Sequence, residues 1–253
     1  MRTLAIACQK GGTGKSTSCL AIGQALARKG NSILYVDLDP QGNLSYTLKG
    51  SADKGSVLAA IQRPSKAKGE LQEIEGGALL ASSPSLSGAD AFLTDLGKEY
   101  RLKEALEALP AFDFCLVDTP PSLGILTINA LSAAEAIIAP TQADMYSLHG
   151  IRQLAATVEA VRAYTNKTLS FMGLLVTRYN GRAIIRKDIA EMLEALALEM
   201  GTRVFKTKIR ECTALVEAAA MRQSIFAYAP KSNGAKDYAA LTEEVITILN
   251  TKE

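Results

Sequence analysis

Five short, almost uninterrupted apolar runs recur along this chain, separated by stretches of helical spacing, and that alternation limits the folds open to it. Leu4-Ala5-Ile6-Ala7-Cys8, Ile33-Leu34-Tyr35-Val36, Phe112 to Val117, Ala136-Ile137-Ile138-Ala139 and Phe171 to Val176 read as strands buried on both faces. Val204 to Ile209 is a sixth candidate. Ser16 to Lys29 reads as a helix, with Leu20, Ile22 and Leu26 apolar and Gly30 as its stop. Arg101 to Leu109 is helical up to Pro110, and Ile151, Leu154, Ala155, Val158 and Val161 keep one helical face apolar. Ile189, Met192, Leu193 and Leu196 mark another helix. Residues 51–90 are polar and glycine-punctuated, which predicts surface helix and loop, and Pro140 is expected to stop the fourth strand. Strands without polar alternation need cover on both sides. The expected fold is α/β, a mostly parallel β-sheet with helices on both faces, as a single domain over 1–253.

Ligands of such sheets sit beyond the carboxyl ends of the strands, and the chemically informative residues fall there. Gln9-Lys10-Gly11-Gly12-Thr13-Gly14-Lys15-Ser16-Thr17 lies between the first strand and the first helix. A tight loop at a helix start turns successive backbone N–H groups, and the positive end of the helix dipole, toward phosphate. Lys15 is expected to reach the β- and γ-phosphates, Ser16 to offer its hydroxyl to Mg²⁺, and Thr17 to contact the α-phosphate. The second strand ends in Asp37-Leu38-Asp39-Pro40-Gln41-Gly42-Asn43, whose two carboxylates share one side of an extended segment. The third ends in Asp118, followed by Thr119-Pro120-Pro121.

These motifs resemble the ParA/MinD group of P-loop ATPases, whose deviant Walker A sequence matches Lys10-Gly-Gly-Thr-Gly-Lys15-Ser-Thr. The resemblance covers essentially the whole chain and includes Pro121-Ser122-Leu123-Gly124, Leu126 to Ala130 and Pro230 to Ala235, which look like the Soj/ParA partition proteins. It implies ATP and Mg²⁺ as cofactors and a homodimer formed on ATP. Lys10 would be a cation acting on the partner's nucleotide, as an arginine finger does. Asp39 would position the attacking water, Asp37 would support the Mg²⁺ shell, and Asp118 would hold Mg²⁺ through water. Thr119–Gly124 would sense the γ-phosphate. Nucleotide contacts fall on Lys10, Gly11, Gly12, Thr13, Gly14, Lys15, Ser16 and Thr17, with Thr177 and Arg178 beside them. The family's adenine-facing positions are occupied here by Arg210 and Cys212, departures from its usual residues.

The formal charge of +2 says little about partners, but its distribution says more. Between Arg178 and Lys236 stand eleven basic residues against six acidic ones, so the rest of the chain is net acidic. That asymmetry suits sequence-independent contact with double-stranded DNA phosphates. The candidates are Arg182, Arg186, Lys187, Lys206, Lys208, Arg222, Lys231 and Lys236, of which Arg182 matches a family position. The resemblance further implies a ParB-like centromere-binding partner and a cytoplasmic, nucleoid-associated protein. Cys8, Cys19, Cys115 and Cys212 form no C-x-x-C pair, as expected of reduced thiols. No apolar stretch of about 18 residues predicts a membrane span. Thr3 opens the first apolar run, so no signal peptide is expected. His149 is the only histidine and reads as a surface or cap residue. Three alternatives stay open: a MinD-type membrane-cycling ATPase, an iron–sulfur reductase, and a small-molecule ligase or kinase on the same fold.

Overall fold

A computed structural model describes residues 1–180 and 185–251. Its strands are β1 (Arg2–Ile6), β2 (Ile33–Asp37), β3 (Gln72–Ile74), β4 (Gly77–Leu80), β5 (Phe114–Asp118), β6 (Ala136–Thr141) and β7 (Ser170–Val176). Its helices are α1 (Lys15–Ala27), α2 (Asn43–Thr47), α3 (Val57–Gln62), α4 (Ala89–Phe92), α5 (Arg101–Glu107), α6 (Ile125–Ala133), α7 (Met145–Tyr164), α8 (Ile185–Glu199), α9 (Thr213–Ala220), α10 (Ile225–Tyr228) and α11 (Asn233–Asn250). The strands form one sheet in the order β3-β4-β2-β5-β1-β6-β7, parallel throughout except for the β3–β4 pair.

The two-residue period of each strand divides its side chains between two cores. Leu4, Ile6, Ile33, Tyr35, Leu116 and Ile138 pack under α1 and α11. Ala5, Leu34, Val36, Cys115, Val117 and Ile137 pack under α3, α5, α6 and α7. With both faces covered, the strands tolerate no polar alternation, hence the apolar runs that mark them. Helix α11 buries Tyr238, Leu241, Val245, Ile248 and Leu249, and Ser18 Oγ meets Tyr238 Oη at 2.9 Å where α11 crosses α1. The carboxyl-terminal apolar face is thereby used up in the core. No helix among the described residues is long and apolar enough to cross a membrane.

Three expectations need correction. Residues 51–90 are not only surface: they supply the β3–β4 hairpin, and Ala78, Leu79 and Leu80 are buried within the sheet. Pro140 does not stop β6, which continues to Thr141, with Pro140 opposite Leu175 of β7. Val204 to Ile209 makes only isolated bridges, Leu174 to Val204 and Tyr179 to Arg210, instead of a sixth parallel strand. Even so, it covers the edge of β7, since Phe205 N donates to Leu174 O and Ile209 N to Val176 O. Phe205 lies so close over β7 that a Cβ on Gly173 would stand 2.8 Å from its ring, which demands glycine there.

Candidate functional site

The sheet register brings the acidic residues together. Asp37 pairs with Asp118 at the carboxyl ends of β2 and β5, and Ile6 of β1 lies opposite Asp118 on its other side. The glycine loop leaves β1 at this point and returns as α1. Gly12 and Gly14 have φ of 72° and 91°, left-handed values that open the loop and hand the chain into the helix at Lys15. A Cβ on Gly14 would meet only Thr177 Cγ2 at 3.8 Å, so its cost is dihedral and not steric. Gly14→Ala is therefore expected to destabilise by about 1–2 kcal/mol, readable as a lowered denaturant midpoint with an unchanged slope.

Two side chains brace the loop from β6 and β7. Thr177 Oγ1 lies 2.8 Å from Thr13 O and 3.1 Å from Thr141 O, donating toward these carbonyls. Gln142 Nε2 donates to Gly12 O at 3.1 Å. Lys15 is buried, its ammonium donating to Lys10 O at 3.2 Å. Lys10 points the other way and forms a 2.6 Å ion pair with Asp144, the N-cap of α7. Asp144 also accepts from Ser147 N at 2.9 Å. Burial raises the Asp144 carboxyl, and Lys10 with Ser147 outweighs it, so the group sits below its ordinary value.

Asp37 is fully buried and saturated: its carboxylate accepts from Asp39 N at 3.1 Å, Ser45 N at 2.8 Å and Ser45 Oγ at 2.7 Å. Burial nevertheless pushes its pKa up to about 6 against those bonds, with the Asp39 charge adding to the rise. Asp39 lies at the cavity edge, one oxygen accepting from Gln41 N at 3.0 Å. Asp118 differs from both. It is 0% exposed, and neither oxygen meets a partner at hydrogen-bond geometry. Burial, then the Asp37 charge, hold its carboxyl well above the usual range; the nearby Ser16 hydroxyl and Lys15 pull the other way. A buried carboxylate in this condition is what a cation would satisfy.

A cavity of about 840 Å³ opens in front of these groups. Gly11 to Thr17, Asp39, Thr177 and Arg178 line one end. The other end is walled by α1, by Arg210 to Thr213 and by the apolar residues Leu215, Val216 and Ala219 of α9. Arg210 lines this end but is tied to Asp237, its Nη2 2.6 Å and its Nε 3.0 Å from the carboxylate oxygens. Cys212, a free thiol, is partly buried in the same wall. Sequence reasoning missed Gln142, Asp144, Ser45 and the α9 wall. Each lies far along the chain from the motif it serves, and no local pattern marks it.

The basic residues scatter. Lys231 and Lys236 are exposed around the start of α11, as is Lys206, whose backbone N–H donates to Glu244. The Lys208 ammonium stands 4.8 Å from the Tyr179 ring centroid. Arg222 donates to Tyr46 O at 2.7 Å and stacks on the Tyr46 ring, bridging to α2. Arg182 falls outside the described residues, as do the side chains of Arg186 and Lys187 in the first turn of α8. His149 is exposed on α7, and all four cysteines are free thiols.

A family model described as an AAA domain matches residues 1–171. The chain is 40% identical to the chromosome-partitioning ATPase Soj of Thermus thermophilus, over 97% of its own length and 96% of that protein. It is 34% identical to the sporulation initiation inhibitor protein Soj of Bacillus subtilis, over 96% and 98% of the two chains. Among solved structures, cobyrinic acid a,c-diamide synthase from Mycobacterium smegmatis, with bound ATP analog and magnesium, superposes with a TM-score of 0.85. It is 33% identical and covered to 97%, with all of this chain matched. The P-loop between β1 and α1, the aspartates at the ends of β2 and β5 and this full-length likeness agree: the chain belongs to the Soj/ParA family of ATPases.

Proposed function

We propose that the chain binds Mg-ATP in this cavity, dimerises on it, binds double-stranded DNA without sequence choice, and partitions DNA with a ParB-like partner. The observation that carries this reading is the orphaned Asp118 carboxylate behind a glycine loop whose second lysine is turned away from the cavity. The loop amides and Lys15 hold the phosphates. Ser16 and Asp118 hold Mg²⁺, with Asp37 fixing the turn behind them, and the bound ion neutralises phosphate charge. Asp39 orients the attacking water. Lys10, leashed to Asp144 in the lone protomer, reaches the partner's nucleotide once two subunits meet.

The basic carboxyl half supplies the DNA surface, and pairing two copies doubles it. Each neutralised phosphate adds about 0.9 to the log–log salt slope, so the dimer should show the steeper dependence. Electrophoretic shifts with ATP, with ADP and without nucleotide, at two salt concentrations, are expected to show DNA retarded only with ATP. Equal retardation in all three states would remove the switch. The MinD-type alternative needs a carboxyl-terminal helix free to lie on lipid, and α11 has its apolar face in the core. The likeness to a diamide synthase favours one second reading, ATP-driven activation of a small carboxylic acid. ATP turnover that rises with DNA and not with cobyrinic acid decides for partition.

A further inference from the structure

Along α1, Thr17, Leu20, Ala21 and Gln24 recur at intervals of three and four, so they share one helical face, and all four line the cavity. Thr17 to Gln24 is two turns, about 10 Å of helix. The stripe therefore runs from the phosphate end of the cavity toward its far end. Its middle is apolar, and Leu215, Val216 and Ala219 of α9 line the same space, making a slot suited to a flat aromatic ring. Gln24 closes the stripe. It also belongs to the wall of a second cavity, about 610 Å³, lined by Arg28 and Tyr35, so it stands between the two. Its Oε1 is buried and has no hydrogen-bond partner. The terminal torsion of glutamine is broad and roughly two-fold, so a half turn exchanges nitrogen for oxygen at the cavity side. Arg210, at the same end, is already spent on Asp237.

We infer that Gln24 reads the base of the bound nucleotide and selects adenine over guanine. The inference rests on the nucleotide-binding reading above and adds the residue that recognises the base. Adenine presents its N6 amine donor beside the N7 acceptor. A glutamine amide matches both at once, its oxygen accepting from N6 and its nitrogen donating to N7. Guanine presents two acceptors, O6 and N7, along that edge, so the amide oxygen is left facing one of them unpaired.

Equilibrium binding of ADP, GDP and inorganic tripolyphosphate to the full chain with Mg²⁺ tests this. Gln24→Met keeps the side-chain length and helix preference and removes the amide. Its ADP affinity is expected to fall about tenfold to a hundredfold, with GDP and tripolyphosphate nearly unchanged. Gln24→Glu, which keeps an acceptor for N6 but loses the donor for N7, should fall between wild type and Gln24→Met, and serves alone should Gln24→Met not fold. An unchanged ratio of ADP to GDP affinity in either variant overturns the inference and leaves nucleotide binding standing. Equal loss for all three probes, tripolyphosphate included, assigns Gln24 a packing role and also overturns it. Wild-type protein that binds none of the three overturns the nucleotide reading itself.

Discussion

Lys10→Ala should lower ATP turnover by about a thousandfold, the scale of a cation supplied in trans to a phosphoryl transfer. Nucleotide affinity of the lone protomer should stay within about a few-fold of wild type. The split follows from geometry. Lys15 is buried beside the phosphate end of the cavity, whereas the Lys10 ammonium is bound to Asp144, away from that end. Lys15→Ala should accordingly lose both binding and turnover. The Lys10–Asp144 pair is about one-third exposed on each side, so solvent screens it and little stability rides on it. The lysine can then leave Asp144 without unfolding anything. Equilibrium nucleotide binding and steady-state phosphate release on the two variants separate the roles. Normal turnover in Lys10→Ala would rule out a role in the partner's site.

Asp118→Asn should have effects of opposite sign on stability and activity. In the ligand-free protein the wild-type carboxylate is buried without a partner and beside Asp37, so ionising it costs folding free energy. Removing the charge should stabilise by about 1 kcal/mol or more, a rise of about 2–4 °C in the melting midpoint. Turnover should fall about 10- to 100-fold or further as the grip on Mg²⁺ weakens. The added stability that Mg-ATP gives wild type should shrink with it.

The pH dependence carries the same signature. Asp37, raised to about 6, and Asp118, raised well above its usual range, both hold protons in the folded chain where the unfolded chain has released them. Ligand-free stability should therefore fall as pH rises from about 4 through 6. Asp118→Asn should make that fall shallower. Melting curves across this range, with chelator and with Mg-ATP, measure all three effects. A variant that melts lower than wild type without ligand would show that Asp118 is satisfied in a way the structure does not contain.

What the residues by themselves determined is whatever is written in neighbouring positions. A strand buried on both faces must be apolar throughout, so β1, β2, β5, β6 and β7 could be read directly from the runs that became them. A phosphate loop must place its glycines, lysine and hydroxyls consecutively, so Lys10 to Thr17 were readable too. The β3–β4 hairpin was not: its strands are three and four residues long and sit at a sheet edge, too short to establish a period. Pro140 misled because its missing N–H matters only if the ladder needs that donor, and β6 runs on past it to Thr141.

The tertiary structure decided the rest, because those interactions join residues far apart in sequence. Asp144 meets Lys10 across 134 positions, and Gln142 reaches Gly12 across 130. Asp118 becomes an orphan only once the sheet sets it beside Asp37 and shuts out water. The slot that Gln24 closes exists only because α9, nearly two hundred residues later, lines the same cavity as α1. Local pattern specifies which groups a chain carries, while charge, burial and partner depend on what the fold sets against each of them.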